Sequence, residues 1–290
     1  MTNRLRLTKL PTRWRWSSRK PDRKPTIQEG GATCRLCGGL SRFKWSALVM
    51  GKHKVDYYEC QNCESLQTED PYWLEEAYAA RGAGFDTGAV QRSIGLALSM
   101  HAILDLIGFD KTQPALDFGA GMGVYARMMR DRGYDYRASD AYNSLYFIDR
   151  FVSDRPRWSL ISAFEVAEHL PHPRRTWENL FGKQPHYLFF TTDLFSGQGP
   201  EWHYLAPEEG QHVFFYSFKA LQQLGDSHGY HLLDLGPVKV FSRTHLSLPE
   251  PRYIEKHALR LFMRHQRDPW IYAARDNELL RKRVSSPTKG

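Results

Sequence analysis

Asp117, Gly119, Gly121 and Gly123 stand at alternate positions, and a second acid, Asp140, closes the next strand-like segment. A short apolar run, Ala115-Leu116, leads into this stretch, and a helical one from Val124 to Arg132 leaves it. Glycines at the carboxyl end of a strand let the backbone approach a ligand closely, and in open α/β sheets that crevice is where cofactors sit. The dinucleotide pattern Gly-x-Gly-x-x-Gly is not met, because the position three after Gly121 is Val124. A leading carboxylate would repel a pyrophosphate, but it suits a ligand carrying an ammonium or a sulfonium. Asp140 would accept both ribose hydroxyls of an adenosine. The acid–glycine–acid order therefore favours S-adenosylmethionine over a nicotinamide dinucleotide.

A second cluster follows. Glu165, Glu168 and His169 stand at i, i+3 and i+4, so on a helix they would share one face. Two carboxylates and an imidazole could hold a divalent cation there, with His212 adding a nitrogen. The alternative is that Glu165 lines the methionine end of the cofactor pocket while Glu168 and His169 cap the next helix. His169 is a candidate general base because an unperturbed imidazole titrates near neutrality, with His203 and His212 next in line. Trp202, Tyr204, Phe214, Phe215 and Tyr216 supply either an acceptor pocket or, for Phe214 and Phe215, plain core.

All four cysteines fall in two Cys-x-x-Cys pairs, Cys34/Cys37 and Cys60/Cys63, with twenty-two residues between the pairs. Two such pairs make a four-thiolate zinc site, and four thiolates leave no open position, so the zinc would be structural. His53 lies nearby as a spare imidazole with no part in the site.

These residues need a scaffold. Strands are expected at 115–119, 135–139, 159–163, 187–192, 231–235 and 238–242, and helices at 123–133, 142–150, 173–181 and 217–229. That alternation argues for a parallel α/β sheet with helices on both faces. Only Gly236-Pro237 separates the last two strands, too little for a crossover, so they must pair antiparallel. The organisation expected is a disordered basic tail at 1–30, a compact, strand-poor zinc module at 31–70 and a helical linker or lid at 71–113. A cofactor domain at 114–245 and a basic helical extension at 246–290 complete it.

The run Leu116-Asp117-Phe118-Gly119-Ala120-Gly121-Met122-Gly123, with Ser139-Asp140 and Ala163-Phe164-Glu165-Val166-Ala167-Glu168-His169-Leu170-Pro171, resembles the class I S-adenosylmethionine-dependent methyltransferases. The last of these segments looks like the signature that follows the fourth strand in a branch holding many bacterial small-molecule, sugar and quinone methyltransferases. The resemblance implies a Rossmann-like seven-stranded sheet, mostly parallel with the last strand antiparallel. It implies cofactor contacts at Asp117, Gly119, Ala120, Gly121, Gly123, Asp140, Ala141, Phe164 and Glu165, and catalytic roles for His169, Glu165 and His212. Similar Glu-x-x-Glu-His segments bind magnesium in ubiquinone-pathway O-methyltransferases and small-RNA terminal methyltransferases, which extends the cofactor expectation to Mg2+. The short span between Asp140 and Trp158-Ser159 leaves little room for the family's third strand. A zinc ribbon ahead of such a domain resembles sugar-modifying methyltransferases and a group of ribosomal-RNA base methyltransferases.

The net charge of +8 sits at the ends: residues 1–30 carry nine Lys/Arg against two acids, and residues 251–290 carry ten against four. The middle is acidic and lacks the clustered Lys/Arg that phosphate tracking requires. A small-molecule or glycan acceptor is therefore favoured over RNA, and both over a non-catalytic binding protein. No apolar run approaches the length of a transmembrane helix and no signal-like segment opens the chain, so a cytoplasmic location is expected. Oligomeric state has no sequence signal here.

Overall fold

In a computed structural model, residues 31–80, 87–152, 155–266 and 270–285 are described. The expected basic tail at 1–30 lies outside the described residues.

The cofactor half is a six-stranded sheet. In chain order its strands are β5 (Pro114–Phe118), β6 (Asp135–Ser139), β7 (Leu160–Ala163), β8 (Tyr187–Thr191), β10 (His231–Leu235) and β11 (Val238–Ser242). Across the sheet they run β10-β11-β8-β7-β5-β6. β6, β5, β7 and β8 are mutually parallel, and β11 is antiparallel to both β8 and β10. The central strands β7 and β11 are buried along their whole length, as strands covered on both faces must be. The third strand of the expected seven is reduced to a single parallel bridge between Ala138 and Val152.

Helices α3 (Val124–Arg130), α4 (Pro173–Gly182) and α5 (Phe218–His228) are the crossovers. Ser217 caps α5 by accepting the Ala220 N–H, and Gly229 ends it in the left-handed region. The helix expected at 142–150 does not form. Leu145 and Ile148 instead pack into the core from a loop that ends in one 3-10 turn, Asp149–Phe151. Their apolar spacing served loop packing rather than a helix face.

The cysteine segment is the main departure from expectation. It is rich in strand: β1 (Gly31–Thr33), β2 (Leu40–Val49), β3 (His53–Cys60) and β4 (Leu66–Thr68) form an antiparallel sheet. A fifth strand, β9 (Phe214–Phe215), comes from the far end of the chain and pairs with β4. Cys34, Leu36, Cys60 and Cys63 share one hydrophobic cluster with Ile161, Trp177 and Phe190 of the cofactor half.

Two N-terminal helices, α1 (Leu74–Ala80) and α2 (Ala89–Leu106), follow, and α6 (Pro251–His265) and α7 (Ile271–Ser285) close the chain. Tyr272 of α7 fits over Gly133, where a Cβ would come within 2.8 Å of its ring. Among the described residues no helix is long and apolar enough to cross a membrane.

Candidate functional site

The glycine turn lies at the carboxyl ends of β5 and β6. Gly119 and Ala120 both donate to the Ser139 carbonyl, which fastens the turn to β6. All three glycines adopt positive φ, but they do different work. A Cβ on Gly119 would strike Val166 at 2.5 Å, and one on Gly123 would strike Ile148 at 2.3 Å. A Cβ on Gly121 would meet nothing within 4 Å. Gly119 and Gly123 are therefore closed by the protein's own packing, whereas Gly121 faces open space that a ligand can fill. That cradle fits S-adenosylmethionine.

The two aspartates differ from each other as well. Asp117 is 3% exposed and accepts from the Ser162 hydroxyl at 3.1 Å. Burial, with Asp140 adding, pushes its carboxyl up to about 8. Asp140 clamps the turn: it accepts from Gly121 N–H at 2.8 Å with one oxygen and from Tyr142 and Asn143 N–H with the other. Three of its roughly four acceptor positions are thus taken within the protein. Ala141 stands half-buried between this clamp and Tyr142. Phe164, for which a cofactor contact was expected, packs its ring edge-on against Tyr125 in the core.

The Glu-x-x-Glu-His segment is not an α-helix. Glu165 sits at φ 55, and only Ala167–His169 form a 3-10 turn. Glu165 is thereby separated from the other two. Its carboxylate accepts from Thr191 Oγ1 at 2.9 Å and pairs with Arg92 at 3.4 Å. Glu168 and His169 turn instead toward His212, and the ligating atoms of the three lie within 4.8 Å of one another. Neither Glu168 nor His169 caps α4, whose N-cap is His172.

This cluster is largely shut off from water. Burial, reinforced by Glu165, pushes Glu168 up to about 8. Burial, with His212 adding, pushes His169 down to about 3, which removes the near-neutral titration expected of it as a base. His169 and His212 meet edge to face with centroids 4.8 Å apart, and His212 Nδ1 is 2.6 Å from the Tyr204 carbonyl. Two buried polar atoms, Glu168 Oε2 and His169 Nδ1, have no hydrogen-bond partner among the described residues. Two imidazole nitrogens and one carboxylate suit a borderline transition ion better than magnesium, which prefers an oxygen shell.

Phe214, Phe215 and Tyr216 are fully buried core, whereas Tyr204 is half-buried beside His212 and Trp202 is half-buried against Tyr204. His203 is exposed and near Asp193, away from the cluster. Two contributors had no sequence signal. Tyr78 of α1 stacks on Tyr142 at 4.4 Å and approaches His169 at 6.5 Å, joining the glycine turn to the histidines. Arg92 of α2 reaches Glu165. Both come from helices far away in sequence.

The cysteines converge as expected, with the four Sγ atoms within 4.8 Å of one another. Cys34 lies 3.7 Å from Cys63, Cys37 lies 3.4 Å from Cys60, and all four are free thiols. Backbone N–H groups of Cys37, Gly39, Asn62 and Cys63 point at sulfur atoms, which stabilises thiolates. The quartet fits a tetrahedral zinc ion. His53 binds Glu76 and takes no part.

Residues 94–235, just under half the chain, match the family model described as a methyltransferase domain. Over those residues the chain is similar to a methyltransferase domain. The chain is similar to magnesium protoporphyrin IX methyltransferase from Synechocystis PCC 6803 with bound S-adenosylhomocysteine. Identity there is 11%, with 59% of this chain and 95% of that one covered and a TM-score of 0.40. It is similar to 1,6-didemethyltoxoflavin-N1-methyltransferase from Burkholderia thailandensis at 13% identity, 60% and 86% coverage and TM-score 0.42. A bacterial methyltransferase domain, CtHen1-C, is similar at 16% identity, 54% and 99% coverage and TM-score 0.38. No curated protein matches the sequence.

Proposed function

We propose that this chain transfers the methyl group of S-adenosylmethionine to a small-molecule or glycan acceptor. The observation that carries the reading is the turn at 119–123, where Gly121 alone faces open space while Asp140 locks its N–H. The cofactor supplies an already activated methyl sulfonium, so the protein's task is to align a nucleophile and keep water out. Asp117 and Asp140 hold the donor side. Tyr78, Tyr142, Trp202 and Tyr204 wall the acceptor side with apolar, partly sheltered rings.

Within that wall, His169 stays neutral and accepts a hydrogen bond from the acceptor. Glu168 Oε1 lies 3.8 Å from His169 Nε2 and, once it gives up the proton that burial favours, would balance a positive charge on that ring. A second reading is that Glu168, His169 and His212 hold a divalent transition ion that orients the acceptor. The two unpartnered atoms in the cluster favour it. The cysteine quartet holds structural zinc.

An RNA acceptor competes, supported by the basic helix α6, on which Arg252, Lys256, Arg260 and Arg264 are exposed. The test is titration calorimetry with S-adenosylmethionine, followed by methyl transfer to panels of nucleotide sugars, phenols and bulk RNA. Absence of cofactor binding overturns the proposal, and transfer to RNA alone replaces its acceptor class.

A further inference from the structure

The strand that carries His212 into the site is held by the cysteine module. Val213 follows His212, and its peptide faces both ways. Its N–H donates to the Glu168 carbonyl at 2.9 Å. Its carbonyl accepts from Arg35 Nη2 at 2.5 Å and from Thr68 N–H at 3.1 Å. Arg35 lies inside the first cysteine knuckle, between Cys34 and Cys37, and Gln67 accepts from its backbone N–H at 2.8 Å. The second knuckle grips the other end of the same strand: Ser217 Oγ donates to the Cys63 carbonyl, and Ser217 N–H donates to Ser65. Both ends of β9 are thus tied to the metal-ligating turns, one knuckle each.

Arg35 is half-buried, and one of its nitrogens, Nη1, is buried with no partner among the described residues. Its guanidinium lies over the Phe214 ring at 5.9 Å. A buried guanidinium is costly without a compensating charge. Four thiolates around a zinc dication carry a net double negative charge, and Cys34 adjoins Arg35 in the chain. Asp70 is the carboxylate that already favours the Arg35 cation, and metal loading adds a second counter-charge beside it that holds the guanidinium on Val213. The donor side lacks such a link, because Gly119, Ala120 and Gly121 are fastened to Ser139 and Asp140 within the other sheet.

We infer that Arg35 is a positioning residue that transmits metal occupancy of the cysteine quartet to His212 and Glu168. The module therefore governs the acceptor side of the site and not the cofactor side. The assignment of sides rests on the function proposed above.

Hydrogen exchange by mass spectrometry on the full chain tests it, comparing zinc-loaded and zinc-stripped protein. Stripping is expected to speed exchange at 212–217 by about tenfold or more, while 117–124 stays protected. Calorimetric affinity for S-adenosylmethionine should then change less than about twofold, since that turn is anchored elsewhere. In Arg35→Gln, exchange at 212–217 should be fast with or without metal, although zinc stoichiometry stays at one per chain. A merely structural module would not lose its metal response in that variant.

Thr68→Val is the milder companion. It removes the hydroxyl that accepts from Arg35 Nη2 at 3.3 Å while keeping the Thr68 N–H on Val213, and should show a smaller effect of the same kind. Unchanged protection at 212–217 on stripping overturns the inference. So does loss of protection at 117–124 together with 212–217 in both variants. If wild-type protein binds no S-adenosylmethionine, the proposed function fails, yet the exchange comparison still decides whether Arg35 couples the metal to β9.

Discussion

Asp276 on the last helix grips Arg130 of α3 through two hydrogen bonds, at 2.7 and 2.6 Å, with both side chains almost wholly buried. Arg130 also donates to the Tyr136 carbonyl and lies 3.6 Å from the Phe151 ring centre. Arg127 joins the same carboxylate at 2.9 Å. The C-terminal helix is thereby pinned to the helix that leaves the cofactor turn. Asp276→Ala leaves the buried Arg130 with only Asp135, at 3.1 Å, as a carboxylate partner, and should cost toward the lower end of about 3–5 kcal/mol in urea unfolding. Arg130→Met combined with Asp276→Leu should recover much of that loss, because neither charge is then buried.

Asp117 sits at about 8 against an ordinary 3.8, so its buried neutral form is favoured in the ligand-free fold. A raised carboxyl contributes stability that is present below its unfolded value and is lost as pH rises through the folded one. Asp117→Asn never ionises. Its melting temperature relative to wild type should therefore climb steadily between pH 5 and pH 8 and level off above, as read by calorimetric scans across pH. His169 works in the opposite sense: held near 3, it contributes stability above 6.5 that fades as pH falls below that value. A flat difference between Asp117→Asn and wild type would show that Asp117 is not shut off from solvent.

The glycines of the turn should separate by substitution. Gly123→Ala forces a Cβ against Ile148 and should lower the melting temperature markedly. Gly121→Ala meets no protein atom, so its stability cost is limited to roughly 1–2 kcal/mol of left-handed strain. Its main effect should be on the ligand: affinity for S-adenosylmethionine falls at least tenfold by calorimetry. Equal affinity in Gly121→Ala and wild type would place the cofactor elsewhere.

Glu168→Gln and His212→Ala should leave cofactor affinity within about twofold of wild type, while turnover drops by roughly 100-fold or more. Chelator treatment sorts the two roles of this cluster. If activity survives EDTA in metal-free buffer, the cation reading is abandoned and the proton-handling one stands.

What was legible in the sequence was local. The turn at 119–123, the six strands and the antiparallel pairing across Gly236-Pro237 follow from backbone requirements of neighbouring residues. The reading failed where a local pattern had two uses. Leu145 and Ile148 keep helical spacing yet anchor a loop, and Glu165 leaves its helical register because it adopts φ 55. In the cysteine segment, attention to ligand spacing hid the alternation of Trp45, Ala47 and Val49, which face Tyr57, Val55 and His53 across the β2–β3 ladder. Arg35, Tyr78, Arg92 and Asp276 were invisible for a different reason: each acts on a partner brought near only by the completed fold.

The pairing of Leu66–Thr68 with Phe214–Phe215 also sets an order of events during synthesis. The first sheet leaves the ribosome well before its fifth strand, by a delay on the order of ten seconds at ordinary elongation rates. Throughout that interval β4 presents an open edge and an uncovered apolar face, the situation in which strands recruit wrong partners. Early capture of zinc by the nascent chain would close both cysteine turns while that edge waits. Expression in zinc-poor medium should accordingly lower soluble yield more than it lowers the stability of the finished protein.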